Sequence, residues 1–179
     1  MTVTTRKRIT AREFRTMAEA GIFAEARLEL LDGELIEMTP IGPEHAHAVR
    51  QLIALLSTMS PERGALDVQN PLLMPGDNEF YPDVMVLKPR EGGYRSLPLA
   101  PDALLVVEVA KTSLLYDREV KRTKYQGAGV PMYWVADIDA KQLWTYAEPG
   151  QRGYDHEHRA GQDETLEVLG VSVPVARLF

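Results

Sequence analysis

Apolar positions along this chain fall into short runs and helical stripes separated by Gly, Pro and Asp, and their order predicts alternating helices and strands. Thr10-Ala11-Arg12-Glu13-Phe14 has the form of an N-cap and first turn; Phe14, Met17 and Ala18 recur at helical spacing, and Gly21 supplies a stop. Between Arg27 and Met38 two apolar runs flank Asp32-Gly33, a dipeptide that accepts the positive φ angles of a two-residue hairpin turn. Pro43 and Glu44 open a second helix reaching Met59, with Val49, Leu52, Ile53, Leu55 and Leu56 as its buried stripe, and Pro61 ends it.

Further strands are expected over 65–71, 83–87 and 104–109, with turn chemistry at Pro75-Gly76-Asp77-Asn78 and a polar connection from Lys88 to Ala103. Residues 113–126 return to helical spacing, Gly127 or Gly129 stops them, and Pro131 precedes the strand-like Tyr133-Trp134-Val135-Ala136-Asp137. Strand, crossover helix, strand is a βαβ unit whose two strands run parallel with a right-handed connection. Gln142 to Tyr146 alternates, and short strand-like pieces continue to Phe179. No repeat or linker divides the chain, so residues 1–179 are expected to form one α/β domain, a mixed sheet flanked by helices.

Composition narrows the chemistry. The chain has 179 residues, 45% of them hydrophobic, enough for a proper core. It has no cysteine, which excludes disulfides and thiolate metal ligands and makes an intracellular, cytoplasmic location the expectation. The start Met1-Thr2-Val3-Thr4-Thr5-Arg6 leads into no secretory apolar core, and no apolar stretch approaches the roughly 20 residues that span a bilayer. A formal net charge of −6 argues against a protein that coats nucleic acid through many Lys and Arg contacts. It leaves room for an acidic catalytic site beside basic clusters such as Arg6-Lys7-Arg8 and Arg118 to Lys124, which otherwise read as solvated surface.

Glu108 stands inside the apolar run Leu104 to Ala110, where a carboxylate loses hydration unless a partner compensates it. Strand alternation puts it on one face with Leu104 and Val106, and Leu105, Val107 and Val109 on the other. Asp83 follows Pro82 at the head of Val84-Met85-Val86-Leu87, and if the two strands are antiparallel neighbours the acids meet at one end of the sheet. Two carboxylates suffice for Mg²⁺, which keeps waters and takes substrate phosphate as well. Lys121, four residues after Asp117 and four before Tyr125, shares a helical face with both and either makes a surface pair or reaches inward to a phosphate. A structural ion pair remains the alternative for Glu108. His45 and His47 face different ways on a helix, whereas His156 and His158 share a strand face; His45, at the start of the long helix, is a site-lining candidate.

Taken together, Leu30-Leu31-Asp32-Gly33-Glu34, Pro43-Glu44-His45, residues 69–71, Glu79-Phe80-Tyr81-Pro82-Asp83, Glu108-Val109 with Thr112-Ser113, Tyr116-Asp117 with Lys121 and Tyr125, and Gly129 to Asp137 resemble the restriction-endonuclease-like (Uma-type) family of the PD-(D/E)XK nuclease superfamily. The resemblance implies a restriction-endonuclease-like mixed β-sheet with an αβββαβ core. It implies Asp83, Glu108 and the Val109 carbonyl as metal ligands, with Glu34 as a further acid from the early hairpin. The implied reaction is hydrolysis of DNA phosphodiesters with Mg²⁺ or Mn²⁺. Where the superfamily has a lysine two residues after the glutamate this chain has Ala110; Lys121 on the following helix is the first replacement and Lys111 the second. Arg118, Arg122, Lys124 and Tyr125 join His45 as expected substrate-binding residues.

Three functions remain in view at this point: a DNA endonuclease, a catalytically silent DNA-binding or protein-interaction module, and a hydrolase of another phosphoester. A homodimer is expected for double-strand cutting, and the hairpin near Trp144 offers a surface for it.

Overall fold

The computed structural model describes residues 5–179; residues 1–4, the beginning of the segment read above for a secretory signal, lie outside it. Helix α1 (Ala11–Glu19) begins at a full capping box, Thr10 and Glu13 each bonding the other's backbone N–H, and it buries Phe14. Strands β1 (Leu28–Leu31) and β2 (Glu34–Glu37) form the expected antiparallel hairpin, with Asp32 at φ 48° and Gly33 at φ 77°. A Cβ at Gly33 would lie 2.8 Å from the Arg8 Cβ and 2.9 Å from the Ile9 carbonyl oxygen. Gly33→Ala is therefore expected to lose about 2 kcal/mol, which thermal unfolding reads as a midpoint several degrees lower.

Two three-residue strands escape detection by periodicity, β4 (Leu72–Met74) and β5 (Asn78–Phe80). They join the hairpin in a sheet of order β2-β1-β5-β4. The Asn78 side chain serves both turns, donating to the Pro75 and Gly76 carbonyls and accepting from the Asp32 amide at 2.7 Å.

The larger sheet has the order β10-β9-β8-β7-β6-β3. Its members are β3 (Ala65–Asp67), β6 (Val84–Leu87), β7 (Ala103–Ala110), β8 (Met132–Asp137), β9 (Gln142–Pro149) and β10 (Tyr154–Ala160). As expected, β6 and β7 are antiparallel and β7 and β8 parallel. The strand expected over 65–71 stops at Asp67, because Asp67 bonds the Val68 amide and Gln69 takes φ 52°, turning the chain. Helix α2 (Pro43–Leu56) ends three residues earlier than its pattern implied, in a tight turn through Met59. Residues read as one regular helix instead contain a π-helical turn, Tyr116–Lys121, that runs on into α3 (Arg122–Gly127). A last hairpin, β11 (Thr165–Val168) and β12 (Val171–Pro174), leads to a closing 3₁₀ turn, Val175–Leu178.

The two faces of β7 feed two apolar clusters. Leu105, Val107 and Val109 pack against α2, while Val106 and Ala110 face Phe80, Tyr125 and Tyr133. Leu104 departs from strict alternation and packs on the α2 side, because a register shift at Val86/Leu87 sets Leu87 opposite Ala103 and Val86 opposite Leu105. Among the described residues no helix is long and apolar enough to cross a membrane.

Candidate metal centre

Pairing of Val84 with Val107 brings Asp83, one residue before β6, beside Glu108 near the end of β7. Asp83 is held from three sides. Its Oδ2 accepts the Val109 amide at 2.9 Å and lies 3.0 Å from His45 Nε2, and its Oδ1 accepts Gln69 Nε2 at 3.3 Å. His45 comes from the first turn of α2, and Gln69 from the turn after β3, where its amide also bonds the Pro82 carbonyl. A non-glycine residue at positive φ costs energy, and here that strained turn serves to restrain the acid.

Glu108 is 4% exposed. Lys121 Nζ at 3.0 Å and the Tyr125 hydroxyl at 2.9 Å both donate to its Oε1, and no side chain of the described residues donates to its Oε2. Lys121 is fully buried and also donates to Glu29 Oε1 at 2.9 Å, with Asp117 Oδ1 at 3.9 Å. Glu29 accepts the Tyr81 amide on the same oxygen, and its buried Oε2 has no partner. Asp117 accepts from the Ser113 hydroxyl at 2.6 Å. Three nearly buried carboxylates, Glu29, Glu108 and Asp117, thus surround one ammonium, and a fourth, Asp83, is buried beside Glu108.

That imbalance decides the protonation behaviour. Burial raises the Glu108 pKa well above the ordinary range; Lys121 pulls it down, and Asp117, Asp83 and Glu29 push it up again. Burial likewise lifts Asp117 to about 6, against the opposing pull of Lys121 and Ser113. For Lys121, burial works against the charge, but Glu108, Glu29 and Asp117 outweigh it and raise its pKa. A carboxyl raised on folding favours the folded state while it is protonated, and that advantage fades as pH climbs from its unfolded value through its folded one. For Asp117 the window runs from 3.8 to about 6, and Glu108 extends it upward. The metal-free protein is therefore expected to unfold at lower urea concentration at pH 7.5 than at pH 5.5, and Mg²⁺ to stabilise it more at the higher pH, where the ligands are ionised.

A cavity of about 840 Å³ opens onto this group, lined by Glu29, His45, Asp83, Glu108, Val109 and Asp117 at its acidic end. Among the described residues no three His, Asp or Glu side chains form a complete cage. Mg²⁺ needs none, since water and substrate oxygens complete its shell. The donor set fits such an ion: hard carboxylate oxygens, net negative charge, and acceptor atoms left without protein donors.

The other residues singled out in the sequence divide clearly. The acid brought to the site from the early hairpin is Glu29, not Glu34, which is exposed on β2 opposite Leu31. Lys121 sits behind Glu108, away from the cavity surface, whereas Lys111 lines the cavity at its rim, 43% exposed, with Nζ 2.6 Å from Glu44. Tyr125 is buried against Glu108, so it orients the acid and cannot touch substrate directly. Arg118 lies over the Trp144 ring and donates to the Tyr146 hydroxyl, Arg122 pairs with Glu157, and Lys124 pairs with Asp32. These three cations are engaged outside the cavity lining. His156 and His158 each pair with a separate glutamate, Glu148 and Glu164.

Sequence reasoning missed Glu29, and it had Gln69 and Asp117 only within the motifs of the resemblance and, for Asp117, as a partner for Lys121, without a place in the site. Glu29 carried the same signal as Glu108, an acid inside an apolar strand, Leu28 to Leu31.

Comparison with known proteins bears on the fold and the family. No curated protein is similar enough in sequence to match the chain. A crystal structure from Anabaena variabilis, described as a putative nuclease belonging to DUF820, superposes with a TM-score of 0.75 over 96% of this chain and 97% of that one, at 16% identity. At that identity the likeness establishes a shared restriction-endonuclease-like fold. The family model "Uma2: Putative restriction endonuclease" matches residues 11–176, nearly the whole length, and the chain belongs to that family.

Proposed function

We propose that the protein is a metal-dependent nuclease that hydrolyses DNA phosphodiester bonds with Mg²⁺ or Mn²⁺ held by Asp83, Glu108 and the Val109 carbonyl. The observation that carries this reading is the buried excess of negative charge around Asp83 and Glu108, open to a cavity, with Glu108 Oε2 and Glu29 Oε2 left without side-chain donors among the described residues. A bound divalent ion would lower the pKa of a water and offset charge on the phosphate. The chain's own residues supply the rest. His45, Gln69 and the Val109 amide fix Asp83, while Lys121 and Tyr125 fix Glu108 and leave its second oxygen directed elsewhere. Lys121 is thus a positioning residue, and Lys111 is the lysine with access to a phosphate at the cavity rim.

Incubation of plasmid and of a single-stranded oligonucleotide with the purified protein in Mg²⁺, Mn²⁺ or EDTA tests the proposal, and no scission of either substrate with either metal would overturn it. Lys111→Ala is expected to reduce the rate no more than a few-fold, because its ammonium is exposed and shared with Glu44. A thousandfold loss there would make Lys111 the principal catalytic lysine.

A second reading, a catalytically silent DNA-binding or protein-interaction module, is favoured by the enclosure of Lys121 and the net charge of −6. Metal-independent DNA binding without scission would support it. Cutting both strands at one position would call for two such sites, as in a homodimer, which sedimentation in the presence and absence of DNA would detect.

A further inference from the structure

We infer that the outer, apolar half of the cavity is a subsite for one unpaired nucleobase of the substrate, so that the site takes single-stranded or frayed DNA in preference to intact duplex. The inference rests on the reading of this cavity as a DNA site. The catalytic candidates lie deep: Asp83, Glu108 and Asp117 are 8%, 4% and 2% exposed. A phosphate reaches them only if its strand enters the cavity, and about 840 Å³ is the size that encloses a small molecule or one nucleotide, not two paired strands.

Part of the wall beyond the acids is apolar. Phe14 of α1, Phe23 after it, and Met38 and Ile41 after β2 line it, with the Phe14 and Phe23 rings stacked at 5.6 Å and 28°. Arg27 lines the same cavity and makes no salt bridge among the described residues. Apolar side chains that line the cavity or lie close in sequence to lining residues stand in solvent. Ile22, Ile41 and Leu115 are 64%, 42% and 75% exposed, and Leu115 stands between the cavity-lining Ser113 and Asp117.

Aromatic surface, a free guanidinium and a site for a metal-bound phosphate are together complementary to a nucleotide, which carries a flat π face and an anion. A base within a duplex has both faces covered by its neighbours, so only an unstacked base offers a face to Phe23. Exposed aliphatic side chains beside such a site are suited to separating base steps.

The test measures binding of a fluorescein-labelled oligonucleotide, single-stranded and as duplex, in Ca²⁺ and in EDTA, with wild type, Phe23→Ala and Ile41→Ser. Single strand is expected to bind at least about tenfold more tightly than duplex, and Phe23→Ala to weaken it about tenfold, the usual effect of removing one stacking aromatic. Duplex affinity should stay unchanged. Ile41→Ser guards against a folding defect, since Ile41 is exposed while Phe23 supports Phe14; it should weaken single-strand binding in the same direction. Equal affinity for both forms, no binding of either, or variants that leave the preference intact would overturn the subsite. Cleavage of the labelled single strand and nicking of plasmid, measured in parallel, separate the two readings. Scission with an unaltered preference in both variants removes the subsite and leaves the nuclease, whereas the expected binding pattern without scission in Mg²⁺ or Mn²⁺ removes the nuclease and leaves the subsite.

Discussion

Glu108→Gln is expected to lower metal-dependent DNA cleavage by at least about a thousandfold, some 4 kcal/mol of barrier, while leaving thermal stability at pH 8 equal to or above that of wild type. The amide oxygen can still accept from Lys121 and Tyr125, so the packing of β7 against α3 survives. What disappears is one negative charge from a group in which Glu29, Asp83 and Asp117 are also buried. The proposed metal ligand and a source of repulsion are removed in one step. Activity and stability therefore move in opposite directions, which a merely structural carboxylate would not produce. Cleavage within tenfold of wild type would exclude Glu108 from the metal site, and a lowered melting point would mean that its charge is needed to balance Lys121. Calorimetry with Mn²⁺ gives a second measurement: the variant should bind the ion far more weakly than wild type.

Lys121→Met is expected to be the most destabilising single change in the site, by about 3–5 kcal/mol, because it strands Glu29 and Glu108 without their shared cation. Stability alone does not distinguish a scaffold lysine from one that tunes chemistry. The pH profile does. Lys121 opposes the upward shift of Glu108, so its loss should raise that carboxyl further and move the acidic limb of the activity profile to higher pH. Adding Glu29→Gln removes one stranded charge and should recover part of the stability while moving the limb only a little way back, since Glu29 is the weakest of the three carboxylates that raise Glu108. An unmoved limb in the single variant would limit Lys121 to a structural part. A double variant as unstable as Lys121→Met would show that Glu29 is not the charge left uncompensated.

Glu108 was legible because a long apolar run made its polarity conspicuous, and the βαβ pattern correctly placed its strand beside a parallel neighbour. Asp83 followed from the antiparallel return of the chain. Glu29 was harder to single out, since its apolar run is only four residues long and Glu34 and Glu37 follow it closely. Choosing among those acids required the pairing of β1 with β5, a contact between segments some fifty residues apart in the chain. Asp117 and Lys121 have the spacing of an ordinary surface ion pair. Only their enclosure by Tyr116, Tyr125 and Tyr133 distinguishes them, and enclosure belongs to the tertiary structure. β4 and β5, at three residues each, are too short to display a period.

The π-helical turn over Tyr116–Lys121 is equivalent to one extra residue within an α-helix. Deleting a residue between Asp117 and Lys121 would let the segment relax to the α pitch, and everything upstream would swing by about 100° relative to α3. Asp117 would leave the acidic group although every functional side chain was still encoded. Chain length here carries information that side-chain identity does not. Anyone transplanting the Glu108–Lys121 pair into another scaffold has to bring the extra residue with it, or the lysine arrives on the wrong side of its helix.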